Sequence, residues 1–135
     1  MRAVSERAVF FLNTAAWEPL WQATSLALTA AAMGDEVIVV VAFDALRALA
    51  SGAFGQPATD ADRAAAQRAE RINAATPQRM LADARALGAK LLACDTTVRL
   101  SGLESAALEQ AKIVDEVLGL AQLWRLTRSA RVLTW

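Results

Sequence analysis

One residue dominates any search for chemistry in this chain: Cys94, its only cysteine, in a sequence with no histidine and no tyrosine. Asp95, Thr96 and Thr97 follow it directly, and these residue types cap helices. A thiol at a helix N-terminus meets free N–H groups and the positive end of the helix dipole, both of which favour the reactive thiolate. Asp95 acts in the opposite direction, since a neighbouring negative charge disfavours the thiolate. Arg99 offsets it if it turns inward. Free cysteine is also a small hydrophobe common in protein cores. A packing role for Cys94 therefore stands beside the chemical one.

The absences narrow the chemistry further. Without histidine, Ser-His-Asp and Cys-His catalysis are excluded, as is an imidazole-bound metal. One thiol does not supply a structural zinc site, and neither G-x-x-x-x-G-K-[ST] nor G-x-G-x-x-G occurs. Conventional hydrolases and oxidoreductases thus lack their usual groups, no metal or cofactor is expected, and enzyme status stays open. Lys plus Arg equals Asp plus Glu at 14 each, giving a formal net charge of zero. That removes the electrostatic argument for nucleic acid or an anionic membrane as partner. Arg125, Arg128 and Arg131 are close in sequence but read as a solvated helix face. No run reaches the ~18 apolar residues of a membrane span, and no signal-peptide-like stretch follows the opening residues. A cytoplasmic protein is expected, consistent with a lone cysteine that cannot form an internal disulfide.

The elements that must position Cys94 alternate between strand and helix. Ala8 to Leu12 is a short, wholly apolar run, as in a strand buried on both faces. From Trp17 the apolar residues fall at helical spacing, with Pro19 in the first turn and Gly34 placed for a left-handed C-terminal cap. Glu36 to Phe43 carries a β-branched run, which completes a βαβ unit. Asp44 to Ala50 predicts a short helix, and Ser51 to Pro57 a loop. Thr59 to Ala74 predicts an alanine- and arginine-rich surface helix or flap with little to bury. Thr76 and Pro77 open a clear helix through Leu87, and Lys90 to Ala93 is a strand that delivers Cys94 at its carboxyl end. A short helix to Ser101, a turn or two from Glu104 to Gln110, a brief strand at Ile113 and Val114, a helix from Leu118 to Arg128 and a strand from Arg131 to Trp135 complete the chain. At 135 residues this is one α/β domain, 1–135, built on a mostly parallel sheet of about five strands with helices on both faces.

In open α/β sheets ligands bind beyond the carboxyl ends of the strands. Three segments should meet there: Asn13 to Trp17 with Thr14, Phe43 with Asp44, and Cys94 with Asp95, Thr96 and Thr97. Glu18 and Asp44 are candidates for the mouth of such a site, although exposed carboxylates are ordinary surface residues. For Trp17, Trp21, Trp124 and Trp135, core or subunit contact is the first expectation.

The stretch from Ala86 to Cys94 (ALGAKLLAC), followed by Val98 to Leu103 (VRLSGL), resembles the DsrE/DsrF-like family. Its members often carry a helix ending near L-G, a strand ending in A-C, a short helix and a small-residue G-L turn. The first strand with Asn13 and Thr14, the strand before Phe43, and Asp44 to Leu49 followed by Gly52 are also similar, so the likeness touches nearly the whole chain. It implies a flavodoxin-like three-layer α/β/α sandwich that assembles as a trimer or hexamer. It also implies that Cys94 carries sulfur as a persulfide between a donor and an acceptor protein. On that reading Thr14 and the Thr96 and Thr97 amides help hold the anion. The competing reading is an oligomeric small-molecule-binding or assembly module of the same fold with Cys94 as packing.

Overall fold

The computed structural model describes residues 6–135. Residues 1–5, read from the sequence as leading straight into the first strand, lie outside the described residues. The chain runs β1 (Arg7–Leu12), α1 (Trp17–Ala32), β2 (Glu36–Val41), α2 (Phe43–Ser51), α3 (Asp60–Arg71), α4 (Pro77–Ala86), β3 (Lys90–Cys94), α5 (Asp95–Leu100), α6 (Ser105–Gln110), β4 (Glu116–Leu118), α7 (Leu120–Leu126) and β5 (Ala130–Thr134). The five strands form one sheet in the order β4-β3-β2-β1-β5, every pairing parallel. With helices on both faces this is a three-layer, flavodoxin-like α/β/α sandwich.

The strand order decides how thickly each face is covered. From β1 to β4 every connection steps one strand in the same direction. Right-handed crossovers then lay all the intervening helices on one face. The last connection runs back across the sheet to place β5 beside β1, so its helix, α7, lies on the other face. The packing follows this rule. Ala8, Phe10, Leu12, Val37, Val39, Val41, Leu91 and Ala93 point to the first face, where they meet Leu20, Leu46, Leu81, Val98 and Leu108 from α1, α2, α4, α5 and α6. Val9, Ile38, Val40, Leu92 and Cys94 point to the second face and share a smaller cluster with Leu123 of α7. The period of two along each strand is what separates the two sets.

Local signals account for most element ends. Thr76 Oγ accepts a hydrogen bond from the Arg79 N–H at 3.2 Å, and Pro77 occupies the first turn of α4. Thr59 caps α3 in the same way through Asp62. Gly34 takes φ +91° just past α1, a conformation that costs a side chain but not glycine. β2 stops at Val41, two residues before the sequence suggests, because Phe43 turns to φ +50° and opens α2.

One strand lies elsewhere than the sequence suggests. Ile113 and Val114 are not the brief strand, and Val114 is instead fully buried in the first-face core. The strand is Glu116–Leu118, in register from Leu92 to Cys94. Asp115 sets that register: its N–H donates to Leu91 O at 2.7 Å, its carboxylate accepts the Leu91 N–H at 2.7 Å, and Arg85 holds the other oxygen at 2.8 Å. The segment read as a surface helix is α3, of which only Ala65 is buried. The last helix is shorter than expected, seven residues rather than the span from Leu118 to Arg128.

Candidate functional site

β3 is an inner strand, and it runs one residue past the last β2 pairing, Val41 with Ala93. Cys94 therefore sits at the carboxyl edge, opposite Leu118 of β4, and is the residue immediately before α5, with extended φ −86° and ψ 130°. Thr97 Oγ donates to the Cys94 carbonyl at 3.0 Å, which fastens the strand end to the first turn of the helix. Asp95 is engaged on both oxygens: Ser105 Oγ donates to one at 3.0 Å, and Arg99 pairs with the other at 3.0 Å. The neighbouring negative charge is thus met by a guanidinium one helical turn away. Thr96 is exposed at the start of α5.

The thiol itself is covered. Cys94 is only 5% exposed, inside the second-face cluster with Val9, Ile38, Val40, Leu92 and Leu123. Strand alternation turns this helix-terminal thiol inward rather than toward solvent. Leu92 and Cys94 share a face, and that face is the one α7 crosses. Leu123 is the only buried residue of α7.

The other candidate residues follow the carboxyl ends of β1 and β2. The Asn13 N–H donates to Trp135 O at 2.9 Å and its carbonyl accepts the Ala45 N–H at 3.4 Å, so its backbone ties together the ends of β1 and β5 and the start of α2. Thr14 Oγ accepts the Ala16 N–H at 3.1 Å in the turn into α1. Asp44 pairs with Arg47 at 2.6 Å, and Arg47 reaches Ser101 Oγ at 3.5 Å, which links α2 to the end of α5. Trp17 is buried at the start of α1, just past the carboxyl end of β1, and lines a cleft with residues of α3 and of the chain that precedes α4.

Three further residues matter, and of these sequence reasoning singles out only Phe43. Leu123 covers the thiol's face, but its side of the sheet depends on where the last crossover lands. Ser105 holds Asp95 from ten residues away, and no local pattern announces that. Phe43 is left-handed beside the site, which is costly for a bulky side chain and tends to mark functional edges. Its side chain is exposed at 41%.

A parallel three-layer sandwich that ends an inner strand on its single thiol, with a short helix starting at that thiol, defines a class of small α/β proteins. The DsrE/DsrF-like family profile matches residues 7–135, and the chain belongs to that family. Among curated proteins none matches it in sequence.

Proposed function

We propose that the protein is a sulfur carrier in which Cys94 holds sulfane sulfur as a persulfide. The observation that carries this reading is the placement of the chain's one thiol at the carboxyl edge of β3, directly before α5, in a DsrE/DsrF-like chain. In loading, the Cys94 thiolate attacks the outer sulfur of a donor persulfide. A new S–S bond forms on Cys94, the donor's S–S bond breaks, and the donor leaves as a thiolate that takes up a proton. Unloading is the same exchange onto an acceptor thiol, so neither step needs an external oxidant or reductant. The Thr96 and Thr97 amides and Thr14 are the groups assigned to hold the anionic terminal sulfur.

Coverage of the thiol sets the condition for this chemistry. α7 is seven residues long and buries one side chain, and so short a helix has little stability of its own. Its local opening is the step that exposes Cys94. Leu120 at 68% and Trp124 at 76% exposure give α7 an apolar outer side, which supports assembly as a homotrimer or homohexamer. A cytoplasmic location belongs to the same proposal, because a lone carrier thiol is kept reduced there.

Incubation with a cysteine desulfurase and cysteine, followed by intact mass measurement, tests the reading. The expected product carries one added sulfur, which is removed by a reductant and absent in Cys94→Ser. The 5% exposure of Cys94 favours a second reading, an assembly module with a packed cysteine. Under that reading the native protein takes up no sulfur and resists alkylation.

A further inference from the structure

The two edges of the sheet are not alike. β4 closes one edge with three residues and carries Glu116, and both shortness and charge discourage strand pairing there. β5 forms the other edge. It runs five residues, Ala130–Thr134, in unbroken register with β1, its only neighbour in the sheet. The Trp135 N–H donates to Phe11 O at 2.8 Å and the Asn13 N–H donates to Trp135 O at 2.9 Å. By the alternation of a strand, the backbone groups of Arg131, Leu133 and Trp135 therefore face β1, and those of Ala130, Val132 and Thr134 face outward. The Ala130 N–H is held by Thr127 O at 3.1 Å, which leaves its carbonyl.

Apolar side chains flank this edge on both faces. Val132 is exposed on the second face. On the first, Phe10 and Leu133 line a groove of about 390 Å³ whose far wall is α1, with Leu26 and Met33 both exposed. An uncovered edge of this kind can be extended by another strand.

The sequence of β5 fits itself. In an antiparallel pairing about a two-fold axis at Val132, Val132 faces its own copy, Ala130 faces Thr134 and Arg131 faces Leu133. Both outward groups of Val132 are then used, because its self-pair is the kind that exchanges N–H···O bonds in both directions. On either side of it the Thr134 N–H reaches the Ala130 carbonyl. No charge meets its like across the strands. Arg131, the one charged residue of β5, falls opposite a leucine and is neutralised by Glu6 of its own chain at 2.9 Å. The same pairing sets Leu133 of the second copy beside the groove under α1.

We propose that β5 pairs antiparallel with β5 of a second copy, so that two sheets continue as one across an isologous, two-fold interface. Cys94 lies on β3, with β2 and β1 between it and this edge, so the pairing stands or falls apart from sulfur transfer. It does bear on the assembly proposed above, since a trimer contains no two-fold axis and a hexamer of two trimers does.

Light scattering on a sizing column, over a range of chain concentrations, reads the assembly, and far-UV circular dichroism reads the folding of each variant. The native chain is expected at an even multiple of the protomer mass. Val132→Pro removes an N–H that no residue of its own chain uses, which an edge strand tolerates, and it should halve that mass. Val132→Lys and Val132→Glu each set like charges face to face at the axis and should halve it as well. An equimolar mixture of the two should recover the native mass, because only a contact that places residue 132 against itself turns two repulsions into one attraction. If Val132→Pro fails to fold, the charge variants decide. A native trimer overturns the proposal. So does a native monomer, the result if the edge instead takes an extended peptide of another protein. Unchanged mass in the folded charge variants, or no recovery on mixing them, overturns it too.

Discussion

The two faces of the sheet are built to different standards. The first face carries the six helices α1 to α6, five of which contribute to its larger cluster, with Leu20, Leu46, Leu91 and Val98 fully buried. The second face is covered among the described residues by α7, which contributes Leu123, and its edge is left open enough that Val132 of β5 is 47% exposed. Each fully buried leucine or valine stabilises the fold by about 1.5–3 kcal/mol relative to exposure, so most of the stability belongs to the first face. The lone thiol lies on the other. A carrier must expose its thiol without unfolding, and a thinly covered face permits that at low cost.

The sharpest contrast should come from matched truncations on the two faces. Leu91→Ala, at a fully buried first-face position, is expected to cost about 3–4 kcal/mol in urea denaturation and to leave the rate of Cys94 alkylation under native conditions little changed. Leu123→Ala should cost less, about 2 kcal/mol, yet accelerate that alkylation severalfold by freeing α7. Equal effects of both variants on the thiol would break the comparison. Thr76→Ala removes the cap of α4 and should lower stability by about 1 kcal/mol with no effect on Cys94, again because α4 lies on the first face. Its readouts are the denaturation midpoint and the alkylation rate together. The smallest expected effect is Arg99→Gln. The Arg99–Asp95 pair is solvent-exposed, so stability should move by less than about 0.5 kcal/mol. The Asp95 charge left behind should slow reaction with an anionic disulfide reagent at low salt, and added salt should erase the difference.

How much of this is legible in the sequence follows the range of the interactions. β1, β2, β3 and α4 are announced by local chemistry: short apolar runs, β-branched in β2, and Thr76 before Pro77. β4 is not, because Glu116–Leu118 is three residues long and takes its register from Asp115 bonding across to Leu91 and Arg85. The position of Cys94 at a strand end is legible, since Lys90 to Ala93 leads straight to it. Its burial is not. The period of two tells that Leu92 and Cys94 share a face, but only the strand order β4-β3-β2-β1-β5 tells that α7 crosses that face.

The central claim is that Cys94 reacts from the folded protein through local opening of α7. Pulse alkylation with iodoacetamide, read by intact mass and set beside the unfolding rate measured in the same buffer, tests it most directly. The account predicts labelling much faster than global unfolding, with urea dependence well below that of unfolding because little surface is exposed. Labelling no faster than global unfolding, with the full urea dependence, would contradict it and leave Cys94 as a packed residue.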